Sequence, residues 1–518
     1  MTREKLYQQM EDLKKEGKIE ELIGLLEKEL FLITNTSSTL QYYQLLKGIE
    51  FETIPTLRGK LIVNWLAFLN GDNHYAYSNM KKLEGVEIED REMKAFYYSL
   101  QALMTFNTEA EKKLALAKLS VELLQGEGKS LFMANAQLTY GQMLAGFLNY
   151  RDAIVQFHEA YEMFFELGLD FPASVALTNK MLNLYYLGEI KTVIKECNQI
   201  LIQIGDMNER DKGYWDILYL PLGMCYFQMG KLKLACKDLK LAKTCIEKTK
   251  MLHMQGVVEP FLIKAYYLLG EKENMKVVMT DIVERLGHMH QMYREIFPCL
   301  YYALGGDATF TSEEETSAMI EGLETTFAKG HYQGQYQVLE VLLLLEQRGL
   351  TKCITMPYLL EILKKVRFIG MQTQLQELLL FLAEINYKEN REKEALICLK
   401  EAQQVQIETG IVANFYLVVK ETMPLVKRFD KSLYEELVRY QEQLPSIKEE
   451  TKQSYLLTEK EREILSLVAM GKSNAEIGAQ LYLTVGTVKW HMNHILGKLE
   501  VKNRTQAVSE GRRLGEIT

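Results

Sequence analysis

Residues 483–508, LTVGTVKWHMNHILGKLEVKNRTQAV, hold side chains that could read a base pair. On a helix, Val488, His491, Ile495 and Leu499 form an inward apolar stripe, which turns Lys489, Trp490 and Asn493 outward. An amine, an indole and an amide displayed together fit base edges and thymine methyls in a major groove better than they fit water. The same stretch gathers Lys489, Lys498, Lys502 and Arg504 against a single acid, Glu500.

The rest of the chain has the opposite charge. The 518 residues carry a formal net charge of −8. From Ser454 onward there are nine Lys and Arg against seven Asp and Glu, so the remainder sums to −10. Within residues 481–515 the balance is six cations to two acids. A local cationic footprint on an acidic chain points toward nucleic acid.

The elements that must position these residues are marked by helix-start signals. Thr458 with Glu461, Ser473 with Glu476 and Asn503 with Gln506 each place a capping side chain three residues before Glu or Gln. Gly471 stands where a helix ends, and Thr484 starts a further helix after a short connection. Four helices are predicted in about 60 residues. The middle pair, residues 474–481 and 485–498, is joined tightly enough to be a helix-turn-helix.

Residues 456–516 resemble the LuxR-type DNA-binding domain. The pattern LT..E.E.L.L.A.G.SN.EI...L....TVK.H...I..KL.V.NRT.AV is dense and in register. The resemblance implies that Lys489, Trp490 and Asn493 face bases, and that Ser473, Asn474, Thr484, Thr487 and Arg504 hold phosphates or cap helices near them. Lys502 is a further phosphate candidate. Two departures stand out: Lys460 sits where Arg is common, and Glu500 replaces the usual Gly after "KL".

The preceding residues read as helical repeats. Eight prolines in 518 residues, with abundant Leu, Lys, Glu, Ala and Met, predict an all-α chain. The element A-x-x-x-[FL]-x-x-A recurs at Ala153–Phe157–Ala160, Ala235–Leu239–Ala242 and Ala395–Leu399–Ala402. Small and bulky residues at i, i+4 and i+7 line one helix face, where alanines admit the next helix and the large residue fills the gap. Gly141 and Gly223 lie on the helices before the first two of these. Turn glycines Gly188, Gly230 and Gly270 follow at spacings of 42 and 40. This pattern resembles the tetratricopeptide repeat, elongated beyond its usual ~34 residues. Residues 1–445 are therefore expected to form a tetratricopeptide-like α-solenoid, 446–455 a polar linker and 456–518 the DNA-binding domain. The region from Gly305 to Gly349 fits the repeat poorly. The pairs Tyr42–Tyr43, Tyr97–Tyr98, Tyr185–Tyr186, Tyr266–Tyr267 and Tyr301–Tyr302 are candidates for a ligand groove, or for inter-helix packing.

Other chemistry finds little footing. GEGKS at Gly126–Ser130 lacks the first glycine and the preceding strand of a phosphate-binding loop, so it reads as a turn. His288 and His290 form an HxH with no third ligand in sight. Seven cysteines form no CxxC pair and read as buried thiols in a reducing compartment. The N-terminus is polar and no run is long enough to cross a bilayer. Repeats followed by this tail resemble the sensor and DNA-binding half of the large MalT-like, ATP-binding LuxR-type activators, with the ATPase module absent. The expectation is a cytoplasmic bacterial transcription regulator, an activator and not an enzyme, with no cofactor or metal and no membrane contact. It would bind double-stranded DNA as a homodimer, engage RNA polymerase, and answer to a small-molecule, sugar or peptide effector. An alternative is a helical-repeat scaffold whose C-terminal domain serves dimerisation or docking.

Overall fold

A computed structural model describes the chain apart from residues 1, 36–38, 105–109, 207–211, 250, 252–253, 286–290, 307–309, 311–312, 329–334, 352–353, 420, 444–456, 458, 482, 500, 502, 514–516 and 518. The described residues form helices joined by turns, with no strand among them. They divide into two compact units, Met1–Val438 and Arg439–Thr518. The linker expected over 446–455 and the HxH at His288 and His290 lie outside the described residues.

In the first unit, successive helices pair across short turns and stack on their neighbours. Examples are Leu131–Gly146 with Tyr150–Glu166, Tyr219–Gln228 with Leu232–Thr249, and Gln372–Lys388 with Glu392–Thr409. The recurring alanine element explains the fit. Ala153, Phe157 and Ala160 are fully buried, as are Ala235, Leu239 and Ala242, and Ala395, Leu399 and Ala402. In the first two pairs the large residue sits on a glycine of the preceding helix. A Cβ on Gly141 would lie 2.8 Å from the Phe157 ring, and one on Gly223 would lie 2.7 Å from Leu239 Cγ. In the third pair, buried Ala383 stands sixteen residues before Leu399, the same offset. The poorly fitting region also turns out helical, with Glu313–Ala328 and Gln335–Gln347.

The turn glycines terminate helices by one mechanism. Gly188, Gly230 and Gly270 have φ of 80°, 70° and 70°. At each, the glycine N–H donates to the carbonyl three residues back, and the next N–H donates to the carbonyl five back, as Gly188 to Tyr185 and Glu189 to Leu184. These bonds satisfy carbonyls that the helix end would leave unpaired. The GEGKS segment is likewise a turn. Gly126 and Gly128 are left-handed, and Ser130 caps Leu131–Gly146 by accepting from the Met133 N–H.

The array does not only stack in chain order. Helix Gln372–Lys388 packs on Asp170–Tyr186, and Ala413–Val418 packs on Tyr219–Gln228. The Val412 N–H donates to the Gln228 carbonyl at 2.7 Å. A Cβ on Gly188 would meet Gln372 Cβ at 2.5 Å, and one on Gly230 would meet Tyr416 Cε2 at 3.0 Å. Two turn glycines thus also serve as landing points for a segment far along the chain. Among the described residues, no helix is long and apolar enough to cross a membrane.

Candidate nucleic-acid interface

The second unit contains the helices Glu459–Ala469, Asn474–Leu481, Val485–Lys498 and Arg504–Arg513. One apolar cluster holds them, with Ile464, Leu465, Ile477, Val488, Ile495 and Ala507 at its centre. The first helix ends at left-handed Gly471, where the Gly471 N–H reaches the Val468 carbonyl and the Lys472 N–H reaches that of Leu467. The second helix begins in a complete capping box. The Ser473 N–H and Oγ–H donate to Glu476 Oε2 at 2.8 and 2.7 Å, and the Glu476 N–H donates to Ser473 Oγ at 3.3 Å. Hydrogen bonds from the Ser473 backbone and side chain hold the Glu476 carboxyl below its ordinary range.

The connection to the third helix is tight because residue 478 is glycine. The Leu483 N–H donates to the Gly478 carbonyl at 2.8 Å, and a Cβ on Gly478 would lie 2.6 Å from the Leu483 carbonyl oxygen. Thr484 then caps Val485–Lys498. Its Oγ1 accepts from the Thr487 N–H at 3.1 Å and lies 2.8 Å from Thr487 Oγ1. Two hydroxyls therefore flank the N-terminal end of this helix, where backbone N–H groups and the helix dipole favour an anion.

Along that helix Lys489, Trp490 and Asn493 are exposed, Trp490 to 55%. The buried stripe is Val488, Met492, Ile495 and Leu499, and His491 is only half-buried. The spacing argument placed His491 inward. Steps of four, three and four residues follow the 3.6-residue turn and bring Met492 to that place instead. Trp490 is braced by His494, whose ring centroid is 4.1 Å away at 35°. Sequence reasoning passed over His494, although its i+4 offset from Trp490 was the available signal.

The other sequence-derived residues divide by their partners. Ser473 is exposed and Asn474 half-buried, with Asn474 Oδ1 lacking a hydrogen-bond partner. Arg504 is exposed and donates from Nη2 to the Lys472 carbonyl at 2.8 Å, tying the fourth helix to the turn before the second. The Gln506 N–H donates to Asn503 Oδ1 at 2.9 Å. Lys502, Glu500 and Thr458 lie outside the described residues. Lys498, counted among the cations of this segment, is half-buried with its Nζ 2.7 Å from Glu461 Oε2, and Glu461 is almost fully buried. These partners are 37 positions apart, so no local pattern announces the pair.

The profile described as "Bacterial regulatory proteins, luxR family" matches residues 455–510. The chain is 57% identical over 51 residues to the transcriptional regulatory protein LiaR of Bacillus subtilis, covering 10% of this chain and 24% of that protein. It is 57% identical over 53 residues to the response regulator protein VraR of Staphylococcus aureus, covering 10% and 25%. The chain thus spans about a quarter of the length of these curated relatives. Among solved structures, the apo form of RapI aligns with 79% of this chain and 99% of its own, at 14% identity and a TM-score of 0.38. The match covers the capped helices and the exposed Lys489, Trp490 and Asn493 together, and on that ground the C-terminal unit is a DNA-binding regulatory domain of the LuxR family.

Proposed function

We propose that the chain is a transcription regulator, an activator, that places helix Val485–Lys498 in the major groove of DNA. Lys489, Trp490 and Asn493 read base edges, while Ser473, Asn474, Thr484, Thr487, Lys502 and Arg504 lie along the phosphates. The observation that carries this reading is the exposure of an indole between a lysine and an asparagine on a helix whose opposite face is core. One unit of about 60 residues makes few phosphate contacts, and the acidic remainder opposes binding, so occupancy requires a homodimer on two half-sites. The helical array of residues 1–445 sets that occupancy in response to a bound effector, by shifting the population between assemblies that do and do not fit DNA.

Fluorescence anisotropy on an operator selected from random duplexes tests the reading. Lys489→Ala and Trp490→Ala should each weaken specific binding about ten- to a hundredfold, as expected for one lost base contact. Their circular dichroism should match the parent chain. Unchanged affinity and sequence preference in both variants would exclude this helix as the reader.

A further inference from the structure

Inside the first unit, where Gln372–Lys388 meets the middle repeats, a cavity of about 70 Å³ is lined by residues from helices Asp170–Tyr186, Tyr219–Gln228, Gln255–Leu269, Gln335–Gln347 and Gln372–Lys388. At ~10–15 Å³ for each water, that is room for roughly five waters, or for a ligand of under about ten non-hydrogen atoms. Its walls are aromatic, with Tyr185, Tyr186, Phe261 and Tyr336.

Its polar groups are out of balance. Lys264 Nζ lies 2.6 Å from Glu340 Oε1, with the two side chains only 6% and 16% exposed. The same ammonium sits 4.5 Å from the centre of the Phe261 ring. One carboxylate and two rings, Phe261 and Phe227, therefore already occupy the single cation of the cluster. Glu377 makes no hydrogen bond to a described residue, although it lines the same cavity. Enclosure pushes its carboxyl well above the ordinary range, and the neighbouring Glu340 adds to this, while Lys264 offsets part. Gln228 is buried and donates from Nε2 to the Tyr185 hydroxyl at 2.8 Å. Its Oε1 has no hydrogen-bond partner among the described residues. An oxygen without a donor and a carboxyl that enclosure holds toward its neutral form, for want of a second cation, thus stand in one cavity. Acceptors left unpaired in an enclosed site are unfavourable until a donor arrives.

We propose that this cavity is a binding site for a protonated primary amine on a short apolar or aromatic body, with the ammonium donating to Glu377 and to Gln228 Oε1 and the body lying against the tyrosines. An anionic ligand meets two carboxyl groups and one already paired lysine. A neutral alcohol brings a donor but no charge, whereas an ammonium lets Glu377 give up its proton and become the partner carboxylate. A tyrosine-rich wall suits a cation for a further reason, since ring faces attract positive charge. The inference names the ligand for the array's sensing role proposed above, and rests on that reading only for its regulatory consequence.

The test uses the full chain and three probes of similar shape and size: benzylamine, benzyl alcohol and benzoate. Thermal shift and calorimetry should show the amine binding at least tenfold more tightly than either analogue. Glu377→Gln, with its fold checked by circular dichroism, should lose at least tenfold of the amine affinity. Should that variant fail to fold, the three-probe comparison on the parent chain decides. Alaninamide and its N-acetyl form, both within the cavity's size, separate the two sources of such an amine: binding by the first alone of this pair assigns a peptide amino terminus, whereas binding confined to benzylamine assigns a free amine. Equal response to amine, alcohol and carboxylate, or no response to any amine at millimolar concentration, overturns the proposal. Anisotropy with labelled operator reads the regulatory claim separately. Amine binding that leaves DNA occupancy unchanged keeps the site and removes ligand control.

Discussion

The two units place their polar chemistry on opposite sides of their cores. In the C-terminal unit the apolar residues converge inward, and Lys489, Trp490 and Asn493 are left outside. In the helical array Lys264, Glu340, Glu377 and Gln228 are drawn inside, among rings. An outward set costs little to maintain, since water satisfies it. An inward set must be paired or remain unfavourable. The difference teaches where function meets stability: in the first unit the same residues govern both, and in the second they are separate.

Three substitutions sharpen this contrast. The largest effect is expected from Gly478→Ala, which drives a Cβ against a backbone oxygen that cannot swing aside. It should destabilise the C-terminal unit by about 3 kcal/mol, read as early loss of its protected amides in hydrogen exchange, with the array unaffected. Lys498→Ala comes next. It leaves nearly buried Glu461 without this cation, but Lys498 is itself partly exposed, so the loss should be about 2 kcal/mol and not the larger cost of a fully buried pair. Affinity per folded molecule should stay near that of the parent chain. A large fall would mean that Lys498 leaves Glu461 to meet DNA. Glu377→Gln should have the smallest effect on melting temperature, of about 1–2 °C for each kcal/mol in a unit this large. Its sign depends on pH. The folded-state carboxyl is raised, so its contribution to stability is full below the ordinary carboxylate range and is lost as pH rises through the folded value. The variant should therefore gain on the parent chain as pH increases. A gap that is constant with pH would contradict the burial argument.

Much of the C-terminal unit was legible because its signals are local. Capping boxes, the Gly471 stop and the outward triplet all lie within a few residues of what they control. The spacing erred by one residue at His491 and Met492, where a stripe in steps of three and four admits either neighbour. The Glu461–Lys498 pair was not legible, because Glu461 had a local reading of its own as a capping residue and Lys498 was counted only among the cations of its segment. The array followed the same rule. Alanine elements and turn glycines disclosed the helix pairs, since a pair is a short-range object. The cavity brings Tyr185, Lys264, Glu340 and Glu377 together from helices far apart in sequence. Tyr185 and Tyr186 were groove candidates on aromatic pairing alone, and they do wall the cavity. Tyr42, Tyr97, Tyr266 and Tyr301, marked by the same signal, are buried like Tyr185 but do not line the cavity. Nothing in a doublet of tyrosines distinguishes the two fates.

The landing of Gln372 beside Gly188 and of Tyr416 beside Gly230 also bears on how such a chain can change over generations. An open-ended array tolerates duplication or loss of a whole pair, since each unit touches only its neighbours. Here the helices between Gly230 and Gln372 must span a fixed gap and arrive in register. Adding one pair there would carry Gln372 past its glycine and Val412 away from the Gln228 carbonyl. Variation in repeat number should therefore be confined to the pairs before Gly188, and the segment after it inherited as a block of constant length.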